Sequence, residues 1–196
     1  MGIIPLQKRL MALAGLVMLG YLIFHMLTNL SFFSEAAFTS FYDFYNQPLI
    51  RWPILFLVLA AIVFHVKIAI KIRKINAKAR TIDYARHDKF RIPAILVTVS
   101  VAFLLFFIVI HILQTLSFDT GRVYQELIYQ FQSFWMLLFY LAGLFVLTMH
   151  LAHSLANVLQ TLGKTSASCQ CLVWGGTVLL TVGFALVPLY IFFVMP

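Results

Sequence analysis

The chain has 196 residues, of which 63% are apolar and only 10% charged, and it carries a net charge of +8. Soluble domains devote roughly a quarter of their residues to charge, so this composition excludes one and indicates an integral membrane chain. Nucleic-acid binding is excluded as well, because the basic residues flank bilayer-length apolar runs and no recognition motif accompanies them.

A helix needs about 20 residues to cross a hydrocarbon layer of roughly 30 Å. Five segments reach that length, approximately Arg9 to Ser31, Trp52 to Lys74, Ile92 to Leu116, Phe134 to Thr161 and Leu172 to Val194. A chain in lipid must satisfy its backbone within itself and strand alternation is absent, so all five are expected to be helices. The expected fold class is therefore all-α, an integral membrane bundle of five transmembrane helices forming a single domain over 1–196.

The first segment follows Lys8 and Arg9 and has the look of a signal peptide. Its apolar run is too long and no small-x-small cleavage site follows it, so it reads as a retained helix. The connection after it, "SEAAFTSFYDFYNQPLIR", carries Glu35, Tyr42 and Asp43. The second helix contains His65, with Lys67 placed to snorkel to the nearby surface. Next comes "KIRKINAKARTIDYARHDKFR", a basic connection in which His87 reads as a solvated surface residue. His111 lies on the third helix, and the fourth contains "VLTMHLAHSLANVL" with His150 and His153. Before the fifth helix, "TSASCQCLVW" holds Cys169 and Cys171 as a C-x-C pair with no following His. That pattern is neither a c-type haem attachment nor a zinc site and reads as reduced thiols.

Charge sets the orientation. Twelve of the fourteen Lys and Arg residues fall on one side, at Lys8, Arg9, Lys67, the basic connection and Lys164. Only Arg51 and Arg122 lie on the other, beside Glu35, Asp43, Asp119 and Glu126. By the positive-inside rule the amino terminus is cytoplasmic and the carboxyl terminus outside. Anionic lipid is one partner for the basic face, and a soluble protein is another.

The same orientation places the histidines in depth. His25 is sixteen residues past Arg9 on an outward helix, or roughly 24 Å from the inner edge. His111 is likewise outer, at nineteen residues past Ile92, whereas His65 and His150 fall in the inner half of two inward helices. Four successive helices thus offer imidazoles at two levels separated by about 15 Å. A haem iron takes two axial ligands, and neutral imidazoles supply them without burying an ion. The pairs would be His25 with His111 and His65 with His150. Hydrogen-bonding between helices is the plainer role for a single intramembrane histidine, and His153 is the alternative ligand on the fourth helix. Gly15, Gly20, Ala142 and Gly143 would let a flat macrocycle approach the backbone.

On these residues the chain resembles the single-chain, five-helix, dihaem cytochrome b anchor of succinate:quinone oxidoreductases, a group that includes quinol:fumarate reductases. The resemblance runs through "RLMALAGLVMLGYLIFHMLTN", "FHVKIAI", "FFIVIHILQTL" and "FWMLLFYLAGLFVLTMHLAHSL", with the outer connection "SEAAFTSFYDFYNQPL" between the first two. It implies two b-type haems, the inner one on His65 and His150 and the outer one on His25 and His111. It also implies a quinone substrate, menaquinone or ubiquinone, near the outer face, where Glu35, Tyr42 and Asp43 are candidate contacts. The implied partners are an iron-sulfur subunit and an FAD-containing flavoprotein on the cytoplasmic face, in the cytoplasmic membrane of a bacterium or archaeon. The succinate or fumarate chemistry would belong to the flavoprotein, and this chain would carry electrons in the respiratory chain.

Three positions depart from the family pattern. Met11 stands where many members have a histidine, Ala12 where many have a serine, and Thr148 where some quinol:fumarate reductases have a glutamate. No Asp or Glu lies in any of the five segments, so no carboxylate is available there for a compensating proton path, and electrogenic quinone turnover is expected. A cytochrome b subunit of the formate dehydrogenase, hydrogenase or nitrate reductase type is a second redox reading, but its ligands concentrate on fewer helices. A non-redox membrane protein would need broken helices or an intramembrane carboxylate, and neither is visible.

Overall fold

The computed structural model of the protein describes residues 3–78, 94–161, 163 and 166–195. Their helices are, in chain order, α1 (Ile3–Leu30), α2 (Glu35–Tyr45), α3 (Pro48–Lys78), α4 (Ala94–Ser117), α5 (Val123–Phe131), α6 (Phe134–Thr161) and α7 (Ala167–Val194), with a 3-10 turn at Ser31–Phe33. No strand occurs among the described residues. Five of the helices, α1, α3, α4, α6 and α7, are long and apolar enough to cross a membrane, and the protein is an all-helical, multi-pass membrane protein. His87, Lys89 and Lys164, together with most of the basic connection, lie outside the described residues.

Helix ends follow local chemistry. Ser31 Oγ donates to the Thr28 carbonyl at 2.6 Å, taking up a carbonyl that α1 leaves over at its end, while Thr28 Oγ1 back-bonds to the His25 carbonyl at 2.9 Å. Ser34 is extended, and its Oγ accepts from the Ala37 N–H, which caps α2 with Glu35 in the first turn. Pro48 opens α3, where its missing N–H costs nothing. Before α5, Asp119 Oδ1 accepts from the Gly121 N–H at 3.0 Å and its carbonyl from Arg122 N–H at 2.9 Å, forming an Asx turn. Ser166 caps α7 through the Cys169 N–H, so the helix starts at Ala167 and includes both cysteines, five residues before the expected Leu172. Both thiols are free.

The chain divides into two compact units, Met1–Leu22 with Pro48–Pro93 and Ile23–Gln47 with Ala94–Pro196. In the first, among the described residues, Ile72 of α3 is buried, and about half of the large apolar side chains of α3, Phe56 and Leu57 among them, are exposed. The second holds the core. Phe32, Phe38, Leu104, Phe107, Phe131, Tyr140, Val187 and Ile191 form one cluster. The short helices α2 and α5 pack on each other, with Val123, Tyr124, Leu127 and Ile128 against that cluster. Apolar positions at these spacings give each short helix one sticky face, which the core covers.

Two glycines admit close packing in this unit. A Cβ on Gly143 of α6 would lie 2.5 Å from the Phe107 ring of α4, and one on Gly183 of α7 would lie 2.9 Å from Met26 Cγ of α1. Between α6 and α7, Thr148 Oγ1 hydrogen-bonds Thr181 Oγ1, one turn from the fully buried Thr177. Small residues and hydroxyls are what joins helices where apolar burial gives no advantage over lipid.

Candidate functional site

His25 and His111 meet. His25 lies five residues before the end of α1 at Leu30 and His111 six before the end of α4 at Ser117, so both stand about 8 to 9 Å along the axis from ends that run toward the short helices. Their ring centres are 5.8 Å apart with planes tilted by 57°, and Phe184 of α7 closes on His25 at 5.6 Å. Phe107 lies nearly parallel to His111 at 6.1 Å.

The His111 ring is held by a polar chain on α4 and α6. Its Nδ1 lies 3.2 Å from the Tyr140 hydroxyl, which donates to Gln114 Oε1 at 2.9 Å. Gln114 Nε2 in turn donates to Met136 Sδ at 3.3 Å. His111 and Gln114 are three apart on α4, and Met136 and Tyr140 four apart on α6, so each pair shares a helix face. With the Tyr140 proton on Gln114, the hydroxyl has lone pairs that can accept from an Nδ1–H of His111. In that tautomer the imidazole lone pair lies at Nε2, as a metal-ligating histidine requires.

Two imidazoles sharing one metal ion, each nitrogen about 2 Å from it, have ring centres about 6 Å apart. The His25–His111 ring-centre spacing lies in that range. Among the described residues, no three His, Cys, Asp or Glu side chains converge as a many-ligand metal site would need. A bis-histidine haem needs only the pair.

The other expected ligands fall in different units. In the first, the half-buried His65 of α3 lies against Gly15 of α1, where an added Cβ would sit 3.8 Å from its Cε1, and it hydrogen-bonds the Met11 backbone. In the second, the half-buried His150 has its Nε2 3.4 Å from Ser154 Oγ one turn on, while the exposed His153 has its Nε2 3.0 Å from Asn157 Nδ2. The space beside Gly20 is open, whereas the notch at Gly143 is filled by Phe107 and offers no approach for a macrocycle.

The quinone candidates stand on α2. Glu35 and Tyr42 are two turns apart on one face, and Asp43 is beside it. Glu35 and Asp43 are exposed, with Gln125 Nε2 donating to Glu35 Oε1 at 3.5 Å. Tyr42 packs on Phe38 at 4.4 Å, and burial followed by the neighbouring Tyr45 raises its phenol above the ordinary range. Tyr124 stacks on Phe32 at 4.6 Å, and it too is raised, by burial and then by Glu35 and Tyr190. Both phenols therefore keep their protons at neutral pH and can donate hydrogen bonds.

No family model matches the chain, and no curated protein or solved structure is significantly similar to it. Sequence reasoning did not single out Tyr140 and Gln114. Their signal was available, since an amide three residues after a histidine inside an apolar helix needs a polar partner.

Proposed function

We propose that this chain is the membrane anchor and electron-transfer subunit of a succinate dehydrogenase or fumarate reductase complex, with two b-type haems between an iron-sulfur subunit and a membrane quinone. The observation that carries the reading is the His25–His111 pair, two imidazoles on separate helices with ring centres 5.8 Å apart. In this reading they hold the outer haem through their ring nitrogens, and His65 and His150 hold the inner one. Bound haem supplies a one-electron carrier that neither imidazole nor any other side chain here provides.

The residues around the pair have definable tasks. Phe107 and Phe184 exclude water beside the imidazoles and keep the setting apolar. Glu35 and Asp43, exposed on α2, exchange protons with the outer aqueous phase, and the protonated Tyr42 donates to a quinone oxygen. Lys8, Arg9, Lys71, Arg73, Lys74 and Lys78 all belong to one compact unit and are exposed, which suits docking of an acidic face of the iron-sulfur subunit. The amino terminus is on the same cytoplasmic side.

The test is to purify the full chain from its native membrane and record reduced-minus-oxidised spectra and haem content, together with the identity of co-purifying subunits. Two low-spin b haems per chain with a flavoprotein and an iron-sulfur protein is the expected result. A haem-free preparation, or one with a different soluble partner, would refute it.

A further inference from the structure

The polar chain from Met136 to His111 has a direction, and the direction has a consequence for the ligand it ends on. Gln114 presents its amide nitrogen to Met136 Sδ and its oxygen to Tyr140. That oxygen takes the Tyr140 proton, and the hydroxyl is left with lone pairs for the Nδ1 side of His111. Tyr140 itself is 7% exposed, fixed edge-on to Phe131 at 4.8 Å and to Phe107 at 5.3 Å, so its hydroxyl cannot swing away.

We propose that Tyr140, oriented by Gln114, is a positioning residue that fixes the His111 tautomer and strengthens its Nε2 as a donor. The inference rests on the reading of His111 as a haem ligand, and names the residues that tune it. An acceptor on the far nitrogen makes an imidazole more basic toward its metal and favours the ferric over the ferrous state. Removing the acceptor should shift the balance toward ferrous iron. Second-partner losses of this kind typically cost about 10-fold or more in a metal equilibrium.

The experiment uses the full complex in lipid nanodiscs, with the outer haem identified as the one lost in His111→Ala. Tyr140→Phe keeps the ring and its packing but deletes the hydroxyl. It should retain both haems and move the outer ferric–ferrous equilibrium about 10-fold toward ferrous, a one-electron shift of about +59 mV. Gln114→Leu should move it in the same direction by less, because the hydroxyl remains but is no longer oriented. Phe139→Leu, which disturbs the neighbouring packing without a polar atom, should leave the potential in place. An unmoved potential in Tyr140→Phe, or an equal shift in Phe139→Leu, would overturn the proposal. Nitrogen NMR of His111 in the full chain without haem gives an independent reading. It should show hydrogen on Nδ1 in the wild type and a mixed population in Tyr140→Phe, and hydrogen on Nε2 in the wild type would also overturn the proposal. A chain that binds no haem but passes the NMR test would sink the functional reading alone.

Discussion

In the unit containing α6 and α7, 33% of the most apolar stretch of α7 is buried and 22% of that of α6, whereas for α3 in the other unit the figure is 0%. All three helices are apolar enough to span a bilayer, so hydropathy does not explain the difference. Lipid is as good a solvent for leucine as another helix is, and helices associate where small residues allow contact or polar groups need partners. Helices α6 and α7 have both, in Gly143, Gly183 and the Thr148–Thr181 hydrogen bond. The exposed run of α3 around Phe56, Leu57, Val63 and Phe64 has Ala60 and Ala61 but no glycine and no hydroxyl. The two units also treat histidine differently. His25 and His111 share a site lined by aromatic rings, while His65 lies against a glycine and the Met11 backbone.

The comparison breaks most sharply at the histidines. His25→Ala or His111→Ala should each remove one haem, about half the haem content, and His65→Ala or His150→Ala should remove the other, as read by difference spectra. His153→Ala should leave both in place, and loss of a haem there with retention in His150→Ala would move the ligand on α6. Packing comes next. Ile191→Ala, at a fully buried position, should destabilise its unit by about 3 kcal/mol, while Leu57→Ala, 61% exposed, should stay within about 0.5 kcal/mol. Denaturant unfolding in mixed micelles would rank them, and equal losses would contradict the contrast between units. Gly183→Val should cost about 1 to 3 kcal/mol by crowding Met26, and Met26→Ala in the same chain should recover part of it.

The smallest effect is in the cap formed by α2 and α5. Burial favours the neutral phenol of Tyr42, so its contribution to stability is whole below about pH 10 and is lost as pH rises through the higher folded value. An alkaline titration of phenolate absorbance should show a late component that Tyr42→Phe deletes. Deletion of an early component instead would mean that the phenol is solvated.

The five spanning helices were legible because a bilayer imposes one length and one polarity, and Phe134–Thr161 coincides end to end with its expected span. Their ends were less legible. Helix α7 begins earlier than its hydropathy because Ser166 caps a polar first turn, and α3 runs on to Lys78 beyond the apolar stretch. The short helices α2 and α5 were read as plain connections. Their faces were written in Phe38, Phe41, Tyr42 and Tyr45 and in Val123, Leu127, Ile128 and Phe131, at helical spacing, but polar residues between them diluted the signal in a search for spans. Depth counting put His25 and His111 at one level. The chain through Tyr140 and Gln114 needed coordinates, because it depends on how two helices are rotated toward each other.

The position of α7 in the chain also bears on synthesis. Its Val187 and Ile191 are among the least exposed residues of the protein, yet the ribosome makes it after the six other helices. Helix α6 must enter the bilayer while the surface it will bury against α7 is still bathed in lipid. Thr148 of α6 waits there without Thr181, a state that insertion before association permits. The aromatic wall that Phe184 gives to His25 arrives equally late, so the site is completed only after most of the chain has been translated.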